Sequence, residues 1–229
     1  MHIPDGFVDP GVAVATGVVA AGAVAYSLRR ADRELDEDRV PLLGVTAAFI
    51  FAVQMLNFPV AGGTSGHLMG AALATVLLGP WLACLVLSVV LTAQAFVFAD
   101  GGISALGANV LNMGVVGALC TGFLMVCARR VLPRTRAGFL AVVAGGAWLA
   151  VMAGAAATSL ELALSGTVPL GTVLPAMLGV HALIGVGEAV ITVAAVGAVL
   201  AARPDLVAVG SLEPPGSERA LAPLAGGAS

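Results

Sequence analysis

Seven stretches of this chain are apolar enough, and long enough or nearly so, to cross a bilayer as helices. They fall at about residues 11–28, 41–57, 67–79, 80–98, 108–128, 137–164 and 172–202, the third being short. Inside a bilayer every main-chain polar group must be satisfied within the protein, so such runs are carried by helices or a closed barrel. Glycine supplies 30 of the 229 residues and aromatics only 5%. That suits helices packed through small side chains and not a barrel with aromatic girdles. The expected fold class is an all-α integral membrane protein of about seven transmembrane helices.

Gly79-Pro80, between the third and fourth runs, reads as a tight turn between antiparallel helices or as a kink in one long helix. The basic residues decide. All ten are arginines, at positions 29, 30, 33, 39, 129, 130, 134, 136, 203 and 219. Seven crossings put all of them on one side, whereas six would set the 129–136 loop opposite the 29–40 loop. The positive-inside rule makes the arginine side cytoplasmic, with the N-terminus outside and the C-terminus cytoplasmic. Met1 and the loops at 57–66, 99–107 and 165–171 then share the outer side. Residues 1–203 are expected to form one membrane-embedded domain, and 204–229, rich in Pro, Gly, Ser and Ala, a disordered cytoplasmic tail. The start, MHIPDG, lacks a basic cluster before an apolar run, so it is expected to be part of the finished protein and not a signal peptide.

The chain has no lysine, which excludes the GxxxxGK[ST] phosphate loop and leaves any nucleotide-driven work to a partner chain. Cys84, Cys120 and Cys127 lie in apolar runs without CxxC spacing and read as small buried hydrophobes, with no disulfide expected.

A free amine followed by His2 offers a metal ion three nitrogens: the Met1 amine, the deprotonated main-chain nitrogen of His2 and its ring Nδ1. Together they close a five-membered and a six-membered chelate ring. Planar nitrogen donors suit Ni(II) and Cu(II), and Co(II) also uses imidazole and amine nitrogen. The only other histidines are His67 and His181. His67 follows the outer loop GGTSG and is the candidate fourth donor. The residues alone leave the plain readings standing: His2 as a residue near a frayed terminus, His67 as a ring bonded to loop carbonyls. His181 and Glu188, seven residues apart, share a face of the last helix. With Gln54, Asn57, Gln94, Asn109, Asn112 and Glu161 they suggest a polar interior in the outer half of the bundle, serving interhelical packing or a ligand. Ala13, Gly17, Ala21 and Ala25 form a small-residue stripe on the first helix, facing either a partner or the bundle.

Five separated motifs, MHIPDG, NFPVAGGTSGH (57–67), LGPW (78–81), FADGGISALGANVLNM (98–113) and PAMLGVHALIGVGEAVIT (175–192), resemble those of the CbiM/NikM family over about the first 200 residues. That family comprises the substrate-capture (S) components of cobalt and nickel energy-coupling-factor (ECF) transporters, which are ABC importers. The resemblance implies a seven-helix bundle whose N-terminal segment plugs an outer cavity. It implies Co2+ or Ni2+ as transported substrate, with no catalytic cofactor, held by the Met1 amine, the His2 amide nitrogen and ring, and His67. Asn57, Thr64, Ser65, Asn109, His181 and Glu188 would surround those ligands. The implied partners are a transmembrane coupling (T) subunit, a small accessory membrane subunit and a cytoplasmic ATPase pair, in the lipid of a bacterial or archaeal cell membrane, with no nucleic acid. Capture outside would be followed by ATP-driven reorientation and release inside. Two other classes compete: an intramembrane metalloenzyme using His67, His181 and Glu188, for which the chain has no HExxH, and a membrane metal sensor without transport.

Overall fold

A computed structural model describes residues 1–34, 37–128 and 135–208. Helix α1 (Pro10–Glu34) leads through a 3-10 turn (Glu37–Arg39) into α2 (Val40–Gln54). A two-stranded hairpin of β1 (Phe58–Pro59) and β2 (Ser65–Gly66) comes next, then α3 (Ala71–Leu78) and α4 (Pro80–Val97). Helix α5 (Leu106–Ala128) precedes the two longest, α6 (Arg136–Leu164) and α7 (Leu170–Ala202). The described residues are thus all-α apart from the hairpin. Five of these seven helices, α1, α4, α5, α6 and α7, are long and apolar enough to cross a membrane. Helix α2 has 15 residues and α3 only 8. At about 1.5 Å per residue α3 is roughly 12 Å long, well under the roughly 30 Å of a bilayer core.

Local chemistry explains the breaks. Asp9 starts α1 by accepting the Gly11 N–H at 2.8 Å, and Pro10, which has no N–H to leave unpaired, follows it. Gly79 separates α3 from α4 with φ 87°, a conformation natural only to glycine, and Pro80 opens the new helix. The two helices run in opposite directions. Along α5, Gly117 faces Met69 and Ala71 while Gly122 faces Thr75 and Pro80, so α3 descends with α5. Gly114 faces Cys84 and Ser88, and Gly101, beyond the end of α4, faces Asn109. Helix α4 therefore climbs against α5, and the turn reading holds over the single kinked helix.

The third apolar run differs from expectation. Residues 67–70 are not helical, and the helix begins only at Ala71. Gly70 sits at φ 77°, and Glu188 of α7 takes the main-chain N–H groups of Met69 and Gly70 at 2.7 and 2.6 Å. Gln54 donates to the Met69 carbonyl at 2.6 Å. These side chains do for the irregular segment what a helix ladder would otherwise do within the membrane. The stretch read as an outer loop contains the hairpin, with Phe58 opposite Gly66 and Pro59 opposite Ser65.

Within α5, residues Val110–Val116 widen into π-helix, and Asn112 there donates to Thr158 at 3.2 Å and also to Glu161. The small-residue stripe of α1 divides. A Cβ on Gly107 would lie 2.4 Å from the Gly17 Cα, so Gly17 faces the bundle, whereas Ala21 and Ala25 are exposed. Residues 204–208, the start of the expected tail, include a 3-10 turn (Pro204–Leu206) and the buried Val207. Residues 209–229, and 129–134 of the arginine-rich loop, lie outside the described residues.

Candidate metal centre

The N-terminal segment is built into the bundle. Met1, His2 and Ile3 are all buried. Asn109 of α5 grips Ile3 from both sides, accepting its N–H at 2.8 Å and donating to its carbonyl at 3.1 Å, while the Gly102 N–H reaches the same carbonyl at 2.8 Å. Asp5 accepts the N–H and hydroxyl of Ser104 at 2.7 and 2.6 Å, and Thr167 donates to the Phe7 carbonyl. The approach of loop 99–105 is so close that a Cβ on Gly102 would lie 2.3 Å from the Asp5 nitrogen. Replacing Asn109 with alanine strands the buried Ile3 N–H. We expect this to loosen the segment by about 1–3 kcal/mol, seen as faster proteolysis within residues 1–9 while the helices stay protected. Unchanged cleavage would count against the grip.

The segment carries the Met1 amine to Ser65 of β2, where it donates to the main-chain carbonyl and lies 3.1 Å from the hydroxyl. Burial pushes this amine down from its ordinary 8.0 to about 4, with the Asp100 charge pulling the other way. At neutral pH the amine therefore carries no charge and keeps a lone pair, the form a metal ion needs.

His2 stacks on His67, with ring centroids 4.4 Å apart and planes 20° apart. Its Nε2 is 3.1 Å from Gln94 Oε1 and its Nδ1 3.2 Å from Asp100 Oδ1. His67 Nδ1 lies 2.8 Å from the Leu68 carbonyl, which can only accept, so Nδ1 bears the proton and Nε2 the lone pair. That Nε2 has no hydrogen-bond partner in the protein.

The expected surrounding residues take distinct places. Ser65 receives the amine, Asn109 holds Ile3, and Asn57 donates to Asp100 at 2.9 Å. Thr64 touches the Met177 sulfur at 4.0 Å, His181 turns Nδ1 to the Met177 carbonyl, and Glu188 supports the segment that bears His67. Asp100 was not among the expected site residues. It is aimed by Ala99, a non-glycine residue at φ 53°, which turns the chain so that the Asp100 N–H closes on the Gln94 carbonyl at 3.0 Å. Burial alone would raise the Asp100 carboxyl, but hydrogen bonds from His2 and Asn57 outweigh it and hold it below its ordinary value. Among the described residues no group of three or more His, Cys, Asp or Glu side chains is gathered to hold a metal.

Fold and site define a class: a polytopic helical membrane protein that buries its own amino terminus beside two stacked histidines at one end of the bundle. The family described as the cobalt uptake substrate-specific transmembrane region, CbiM, matches residues 2–206. The chain belongs to that family. It is 35% identical over 214 residues to the cobalt transport protein CbiM of Sorangium cellulosum, covering 90% of this chain and 94% of that one. It is 37% identical over 225 residues to the fused nickel transport protein NikMN of Rhodobacter capsulatus, covering 91% of this chain and 64% of that longer protein. A crystal structure of a truncated transition metal transporter superposes with a TM-score of 0.81 at 31% identity, over 88% of this chain and 99% of that one.

Proposed function

We propose that this protein captures Co2+ or Ni2+ at the outer face of a bacterial or archaeal cell membrane and passes it inward as the substrate-specific subunit of an ECF-type ABC importer. The observation that carries the reading is the meeting of the uncharged Met1 amine, His2 and His67 in one buried place. The Met1 amine, the His2 main-chain nitrogen and Nδ1, and His67 Nε2 would complete a nitrogen square around the ion. The Nδ1 atom now faces Asp100, so loading exchanges that contact for the metal.

Orientation follows from the charges. Arg29 and Arg30 close α1, Arg39 precedes α2, and Arg136 at the start of α6 donates to the Gly197 carbonyl of α7 at 2.8 Å. Arg30 stands 5.9 Å over Trp81, beside the Gly79 turn, and Tyr26 packs edge-on to the same ring. These groups lie at the end of the bundle away from Met1, and the positive-inside rule makes that end cytoplasmic. The absence of lysine, and with it of a phosphate loop, fits an ATPase pair on separate chains, joined by a T subunit and a small accessory membrane subunit. In the metalloenzyme alternative Glu188 would be the base, but both its oxygens are occupied by main-chain N–H groups.

The test is titration of the purified protein with Ni2+ and Co2+, followed by metal uptake in cells with and without co-expressed ATPase subunits. Saturable one-to-one binding that weakens about tenfold or more in His67→Ala, and uptake only with the ATPase, are the expected results. Binding indifferent to His67 would remove the site, and uptake without any ATPase would remove the importer.

A further inference from the structure

His67 and His181 are prepared alike. Both are fully buried. Each fixes Nδ1 on a main-chain carbonyl, His67 at 2.8 Å from Leu68 and His181 at 2.7 Å from Met177. In each the carbonyl acceptor leaves Nε2 as the lone-pair nitrogen, and neither Nε2 has a hydrogen-bond partner in the protein. A histidine that binds metal is commonly set up this way, with one nitrogen holding tautomer and ring while the other is offered to the ion.

The two rings also lie level with each other. Helix α7 runs alongside residues 63–70 in the same direction. A Cβ on Gly63 would lie 2.6 Å from the Met177 sulfur, one on Gly66 would lie 2.6 Å from Ile184 Cδ1 and 3.5 Å from Val180 Cγ1, and Glu188 holds Met69 and Gly70. This register places His181 beside Gly66 and His67. His181 is within electrostatic reach of both the His67 ring and the Met1 amine.

The geometry points to His181 Nε2 as a second imidazole donor for the divalent transition metal, sharing the ion with His67 once it leaves the Met1 amine. The step is ligand exchange without electron transfer: the Met1 and His2 nitrogens depart, His181 enters, and His67 is common to both positions. The first position rests on the capture reading above. The second does not use the terminal amine, so it persists when that clamp is removed.

Four forms of the full chain, titrated with Ni2+ and Co2+, test this: the parent, a form with two glycines added ahead of Met1, His181→Asn, and the two changes combined. Asparagine keeps an amide N–H where Nδ1–H stood, preserving the bond to Met177 while deleting Nε2. The parent and His181→Asn are expected to share the spectrum of planar Ni(II). The extended form should lose that spectrum yet retain weaker binding, and His181→Asn should lower that remaining affinity by about 10- to 100-fold. His181→Gln, closer to histidine in length, serves if the asparagine form does not fold. The proposal is overturned if the extended form binds no metal or if its remaining affinity ignores His181. A planar spectrum that survives the extension defeats the clamp instead, a separate result.

Discussion

Two glycines added ahead of Met1 are expected to abolish the planar nitrogen complex and lower Ni2+ affinity by at least about 100-fold, the upper end of what loss of a mere outer partner costs; a single one would set the histidine third from the amine, which is itself a planar four-nitrogen site. Every side chain stays, and only the terminal amine moves, by about twice the 3.8 Å between successive Cα atoms. What replaces it at Met1 is an amide nitrogen, which yields its proton far less readily than the buried amine. The place itself is closed: Met1 is 0% exposed, and its amine already touches the Ser65 carbonyl. The extra residues therefore have to push Met1 off Ser65 or draw Ile3 out of the Asn109 grip. Calorimetry and the visible spectrum of the Ni(II) form measure the effect, with thermal unfolding in detergent as the control. An extended protein with parental affinity would show that the ion is held by side chains alone.

The N-terminal segment is held both by hydrogen bonds and close backbone contacts and by the wholly buried side chains of Met1 and Ile3, which belong to the hydrophobic core. Asn109, Gly102, Ser104 and Thr167 each contribute one or two bonds to residues 3–7. Releasing the segment means breaking those bonds and also drawing two buried apolar side chains out of the core. Metal-loaded and metal-free structures with residues 1–5 in the same position would exclude a release that moves the segment.

Much of this arrangement was legible in the residues. Hydropathy marked the seven helical segments, and the one-sided arginines argued for Gly79-Pro80 as a turn, which the φ of 87° at Gly79 makes physical. The scarcity of histidine singled out His2 and His67, which stand stacked. Other features had no local signal. Strands of two residues, Phe58–Pro59 and Ser65–Gly66, are too short to show an alternating pattern. His67 to Gly70 reads as the start of an apolar helix, because the carboxyl that satisfies its irregular backbone lies 119 and 118 residues away from Met69 and Gly70. Asp100 depends on the left-handed turn at Ala99, which nothing in the adjoining residues announces.

Glu188→Ala is expected to be the most damaging single substitution to the fold near the site. It strands the N–H groups of Met69 and Gly70 in the bundle interior, and at about 1–3 kcal/mol for each buried donor the loss is roughly 2–6 kcal/mol. Water cannot readily take over, because Glu188 is 3% exposed and the segment it supports is packed under Ile50 and against α7. The damage should spread to function, since His67 hangs on the same segment. Gln54 still holds the Met69 carbonyl at 2.6 Å, but that bond alone does not fix the backbone N–H groups. Glu188→Gln keeps one oxygen that accepts and replaces the other with an amide that donates, so it should lose about half as much and retain measurable metal binding. The ordering parent, glutamine, alanine is therefore expected in both thermal unfolding and Ni2+ affinity. If the alanine form unfolds at the parental temperature, the carboxyl is not what holds the segment, and the irregular backbone at 67–70 must be satisfied by something else.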